Sequence, residues 1–140
     1  IALNVTAGLG AAAFASLDDR IGPKPSILAA IAGLMLFGTA VLLVEQKMWF
    51  WVFGLAVGIF VGPAQAASRS LMAHLAPAER ESEMFGLFAL SGKATSFMGP
   101  AVLAWATLAF DSQRAGMASI IVFFAIGFVI LMGVESLRRD

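Results

Sequence analysis

The sequence predicts an all-α protein, a polytopic membrane bundle of about five transmembrane helices. Three observations predict it. Hydrophobic residues make up 60% of the 140 positions and charged residues 13%, where soluble domains hold about 45–50% and about 25%. Phe is abundant at twelve, Gly reaches fourteen and Tyr is absent, a composition suited to helices packed in lipid. Long uncharged runs alternate with short charged connections, and the runs lack the polar face of a soluble helix.

The first run, Ile1–Leu17, opens inside an apolar stretch with no basic n-region or cleavage site. It reads as a helix whose start lies upstream, so residues 1–140 are expected to be a piece of a longer protein, truncated at its N-terminus. Pro23 and Pro25 should stop this helix and separate it from the second run, Ser26–Val44. The third run is Met48–Ser68. The fourth, Met84–Phe110, is interrupted only by Lys93, and Ser82 followed by Glu83 is placed to cap it. The fifth, Ala115–Val134, has Asp111 or Ser112 as its cap. At about 1.5 Å per residue, a bilayer core of about 30 Å needs roughly 20 apolar residues. Runs two to five reach that length, and the first falls short. Gly8, Gly10, Gly33, Gly38, Gly54 and Gly58 suit close helix packing, with Gly54 and Gly58 in GxxxG spacing.

Connections between antiparallel spans alternate sides. Arg20, Lys24, Arg69, Arg80, Arg138 and Arg139 fall on one side, Lys47 and Arg114 on the other. The basic side is expected to be cytoplasmic, and the C-terminus with it. Trp49, Trp51 and Trp105 then lie near the outer interface, where indole rings concentrate.

Composition also excludes. Net charge is zero and no basic tract exists, which argues against nucleic acid as a partner. There is no cysteine, and the single His74 cannot build a metal site alone. No Ser/His/Asp set, HExxH or phosphate loop is present, so neither an enzyme nor a cofactor is expected.

The residues that do not belong in lipid carry the functional reading. Lys93 lies about 15 Å into its helix, near the midplane. A lysine there costs about 2.5–3.5 kcal/mol on insertion scales. It is expected to face a polar cavity or an anionic group; the plain structural alternative is a bond to carbonyls of a neighbouring helix. Gly99-Pro100 should bend the same helix, with Thr95, Ser96 or water serving the freed carbonyls. Bent helices at the midplane are where carriers place substrates, although a bend can also serve packing alone. Gln65, after Gly62-Pro63, is a donor and acceptor expected well inside the third helix, to meet substrate or to bond between helices. Asn4 is a weaker case of the same kind. Arg69 sits near the inner end, as a gate or loop partner. His74 reads as a solvated residue beside the loop at Pro77.

"ASLDDRIGPK" (Ala15–Lys24) resembles the loop motif of the major facilitator superfamily, matching at Leu17, Asp19, Arg20, Gly22 and Lys24. Ala15 replaces the usual Gly and Pro23 a basic residue, departures that weaken the gating network the motif makes. The resemblance implies a gating role for Asp19, Arg20 and Gly22, and makes the spans helices eight to twelve of twelve. "GPAQAASRSLMAHLAP", "EMFGLFALSGKATSFMGP" and "SQRAG" look like the branch that includes the vacuolar amino-acid effluxers of fungi and their bacterial relatives. This likeness covers about residues 54–135 and includes Gly92-Lys93 and Gly99-Pro100.

The resemblance implies the C-terminal half of a secondary carrier working by alternating access, with amino acids as the candidate solute. Lys93 would bind an anionic group or release a proton on desolvation. Its partners would be a small solute, the lipid bilayer and the missing N-terminal half of the same chain. The expected location is an inner membrane of bacterial type. The rival is a non-transporting assembly or docking subunit in which Lys93 pairs with an acid from another chain. Such a subunit would co-purify with a different protein and bind no solute.

Overall fold

The computed structural model describes residues 1–135. Five helices follow in order: α1 (Ala2–Ile21), α2 (Pro23–Leu43), α3 (Lys47–Leu75), α4 (Glu81–Ala109) and α5 (Gln113–Met132). No strand occurs among the described residues. By length and composition, α2, α3, α4 and α5 can cross a membrane. Helix α1 falls outside that set; Asn4, several glycines and the charged triplet Asp18, Asp19 and Arg20 dilute its apolar stretch.

Helix bounds differ from the uncharged runs in an instructive way. Helix α1 continues past Leu17 through Arg20, and α3 continues past Ser68 through Arg69 to His74. Backbone hydrogen bonding does not stop where side chains turn polar, so helices outrun the hydrocarbon. Helix α3, at 29 residues, is about 43 Å long, against a core of about 30 Å. His74 is therefore in the last turn of α3; it is exposed, with Nδ1 2.8 Å from the Ser70 carbonyl. Pro23 and Pro25 do not make a separating loop. Pro23 opens α2, where a missing N–H costs nothing. Gly22 alone joins the two helices, at a φ of 88° that a side chain would strain.

The expected caps also shift. Helix α4 starts at Glu81 with Arg80 before it, so Ser82 lies inside the first turn and caps nothing. Glu81 and Glu83 still place negative charge at the positive helix end. Ser112 does precede α5, but its side chain makes no capping bond.

Helix α3 is the centre of the bundle. Helices α1 and α2 pack along it, α5 packs on α2, and α4 leans chiefly on α5. The α1–α3 crossing is built from absent side chains. A methyl group at Gly10 would overlap the Ile59 carbonyl, one at Gly62 the Ala7 carbonyl, and one at Gly58 the Thr6 hydroxyl. Ile59 is the residue whose carbonyl Pro63 leaves without its helical N–H partner. Gly10 lets the backbone of α1 lie directly on that oxygen, where a Cα–H contact replaces part of what was lost. The close-packing pair on α3 is thus Gly58 and Gly62. Gly54 and Gly8 face open space, and Gly38 makes only ordinary contact with Ile121. Gly33 does serve packing, as the seat for the Phe60 ring. Phe60 also meets Phe14 edge-on at 5.8 Å and stacks on Phe37 at 5.6 Å, so one aromatic side chain ties three helices together.

The two ends of the bundle are distinguishable. At the Gly22 end, Ile27, Ala67 and Leu71 are buried, with Ile31, Leu75 and Leu131 packed against them. There the half-buried Lys24 donates to the Met132 carbonyl at 3.1 Å and to the Val134 carbonyl. These are carbonyls that the end of α5 leaves unpaired, and a cation suits them twice over. At the opposite end, Arg114 lies 3.8 Å from Glu45. The connections therefore alternate ends, as antiparallel spans require. Arg138 and Arg139, which the charge argument used, lie outside the described residues.

Lys24→Met is expected to speed amide exchange in the last turn of α5 by about tenfold, since a charge-assisted bond is worth about 1.5–3 kcal/mol. Lys24→Arg should keep most of the protection. Hydrogen–deuterium exchange with mass spectrometry reads both.

Candidate functional site

Lys93 lies just short of halfway along α4 and is exposed. It makes no ion pair with the described residues, among which Arg114–Glu45 is the one such contact. Helix α4 buries a single residue, Ala106, near its far end. Around Lys93 the helix is small and polar: Ser91, Gly92, Thr95 and Ser96 are all exposed, and Gly92 and Gly99 have nothing within 4 Å of an added Cβ. Larger apolar side chains flank this patch, with Phe97 78% and Leu90 64% exposed. A face of this kind admits either a close-packed backbone or a polar solute.

Helix α4 runs unbroken through Gly99 and Pro100. The Thr95 hydroxyl donates to the Ser91 carbonyl, and the Ser96 hydroxyl to the Lys93 carbonyl at 2.6 Å. Neither serves the Ser96 carbonyl that Pro100 leaves free. A hydroxyl reaches carbonyls three or four residues before it, and Ser96 carbonyl lies ahead of Thr95 and on Ser96 itself.

Gln65 is exposed on this chain. Helix α3 buries Gly58, Pro63, Ala67 and Leu71, and Gln65 is not among them. Arg69 follows it one turn later and is also exposed. Asn4 is exposed as well, and the neighbouring contact to Gly58 comes from Thr6. Lys93 and Gln65 therefore do not converge on a pocket formed by the described residues alone.

The charged residues at the Gly22 end gather more closely. A cavity of about 130 Å³ is lined by Asp18 and Asp19 of α1, Ser26 of α2, and Pro63 and Ala67 of α3. One Asp18 carboxylate oxygen is buried there without a hydrogen-bond partner. Ser26, 1% exposed, spends its hydroxyl on the Gly22 carbonyl at 2.9 Å. Arg20 and Arg69 are exposed and form no ion pair with the described residues. Reasoning from sequence missed Asp18, Ser26 and the partner of Lys24. The helical period does place Asp18 one turn after Ala15 on the α1 face that meets α3, but which face that is emerges only from packing.

The profile of the family described as "Vacuole effluxer Atg22 like" matches residues 6–139. An uncharacterized MFS-type transporter, YxiO, of Bacillus subtilis is 30% identical over 84% of this chain and 28% of its own length. Autophagy-related protein 22 of Cryptococcus neoformans is 34% identical over 69% of this chain and 17% of its own length. The protein of that name from Kluyveromyces lactis is 26% identical over 65% of this chain and 18% of its own length. The chain thus spans less than a third of the length of these relatives. No solved structure matches.

Proposed function

This chain belongs to the Atg22-like vacuole effluxer family, and from that premise we propose that it forms the C-terminal half of a secondary carrier. The half-bundle is a multi-pass integral membrane unit. In the carrier its α4 face is covered by the remaining half of the same protein, and the two rock around a central path for a small solute, by alternating access. The single observation that carries this reading is the uncovered α4 face. A helix with a midspan ammonium, open glycines and exposed hydroxyls is a costly thing to show to lipid. It is an ordinary thing to show to a polar path. The shortness of the chain beside its relatives supports the same view.

In this proposal Lys93 meets the anionic group of the solute or hands over the coupling proton. Gln65 lines the path beyond it. Gly99 and Pro100 set the shape of α4 there, with small volume and one freed carbonyl. Asp19, Arg20, Gly22 and Arg69 close the Gly22 end, which lies in the cytoplasm together with the C-terminus. The membrane is a bacterial inner membrane. Amino acids are the solute class that the motif resemblance to the vacuolar amino-acid effluxers implies; their carboxylate is the group an ammonium would take.

The test is counterflow. The full-length protein, reconstituted into vesicles loaded with unlabelled amino acids, should accumulate the matching labelled amino acid transiently. Absence of counterflow with every amino acid, together with a different protein that co-purifies at fixed ratio, would replace the carrier by the assembly subunit.

A further inference from the structure

A trough in two connected parts is lined by residues of α2, α3 and α5 and by Leu3 of α1, and by none of α4. The larger part, about 420 Å³, is walled by apolar side chains such as Leu34, Leu55 and Phe124, with Gly38 and Gly54 between them. The smaller part, about 340 Å³, lies at the Glu45–Arg114 end and includes Val44, Gln113 and Arg114. Val41, Leu42, Phe50 and Met117 line both, so the trough is continuous. Two missing side chains account for its width: a Cβ on Gly54 would meet nothing within 4 Å, and one on Gly38 only Ile121 at 3.9 Å.

Its length has a natural measure. From Val44 to Leu34 on α2, and from Arg114 to Phe124 on α5, the rise is about 15 Å. That is half of a hydrocarbon core of about 30 Å, the depth of one leaflet. The polar groups sit at one end only. Arg114 is held loosely by Glu45, at 3.8 Å with side chains 58% and 83% exposed. A pair so exposed is worth little, and most of the guanidinium donors remain available.

We propose that this trough is a binding site for an anionic phospholipid. One acyl chain lies along the apolar part, and the phosphate meets Arg114 with Gln113 beside it. The chemistry fits at both ends. An acyl chain asks for no hydrogen bond and finds no charged wall, while a phosphate matches the planar guanidinium fork. Basic pockets between spans on the cytoplasmic side recognise acidic headgroups, and the same guanidinium–phosphate chemistry is available at the opposite end, where this trough lies. Glu45 opposes the phosphate, so the site is tuned below its full strength.

Trp51 lines the trough and is 58% exposed, so it reports on the occupant directly. The full-length protein with Trp51 as its single tryptophan in this chain (Trp49→Phe, Trp105→Phe) is placed in phosphatidylcholine vesicles. Brominated phosphatidylglycerol or brominated phosphatidylcholine is then added at rising fraction. Phosphatidylglycerol is expected to quench Trp51 several-fold more than phosphatidylcholine at equal fraction. Arg114→Gln should bring the two lipids to parity, Gly54→Leu should lower quenching by both, and Glu45→Gln should widen the difference. Equal quenching by the two lipids in the protein that keeps Arg114 overturns the proposal, and that comparison needs no further variant to fold. A preference that survives Arg114→Gln overturns it as well. Loss of the preference on adding inorganic phosphate would assign the guanidinium to a free anion instead of a lipid.

Discussion

Lys93→Ala is expected to abolish transport by the full-length protein while its amount in the membrane stays level or rises. The two halves of this result have separate causes. Insertion improves because removing a midspan lysine relieves about 2.5–3.5 kcal/mol. Nothing among the described residues loses a partner, since Lys93 has none there. Transport fails because a charge-assisted bond to a solute is worth about 1.5–3 kcal/mol, or roughly ten- to hundredfold in rate or affinity. Lys93→Arg then separates the two roles. If Lys93 only binds an anionic group, the guanidinium retains part of the flux. If it must release a proton, Arg cannot, and flux is lost as fully as with Ala. The measurement is initial uptake in vesicles, normalised to protein inserted. Unchanged uptake by Lys93→Ala would remove this residue from the mechanism and leave α4 as a packing surface.

The second large effect is structural. Gly10→Val and Gly62→Val are each expected to destabilise the bundle by about 3 kcal/mol, at the upper end of overpacking costs. The added atoms meet backbone carbonyls of Ile59 and Ala7, and not side chains that can swing away. Helices α1 and α3 must then separate, and with them goes the seat that Gly10 provides for the carbonyl freed by Pro63. Gly54→Val is the control, since nothing lies within 4 Å of the added Cβ; it should change stability by less than about 0.5 kcal/mol. Thermal unfolding of the detergent-solubilised full-length protein compares the three. Equal melting of all of them would mean that the α1–α3 crossing relaxes without cost.

These predictions differ in how much of them was legible in the residues. Lys93 was found from sequence because a charge in an apolar run stands out whatever its neighbours. The glycine crossing was half found: spacing pointed to Gly54 and Gly58, whereas α1 lies against Gly58 and Gly62. Both pairs satisfy the same four-residue interval, and only the position of the opposing helix chooses between them. Gln65 fared likewise. Depth along α3 was readable, and the direction of its side chain was not.

What the sequence by itself determined is the number of helices, their order, and the alternation of connections between two ends. These follow from run length against bilayer thickness and from where charge cannot go, and both are local properties of the chain. Likeness in short motifs led to the correct family, which the match over residues 6–139 bears out. Only the tertiary structure decided which faces meet. It put Gly10 over Ile59, tied Lys24 to the end of α5, opened a trough beside Arg114, and left the Lys93 face of α4 uncovered. The physical reason is that α1, α2, α4 and α5 are apolar or small on several sides, so periodicity names no unique buried face. Contact between particular helices, through missing side chains and unpaired carbonyls, makes that choice.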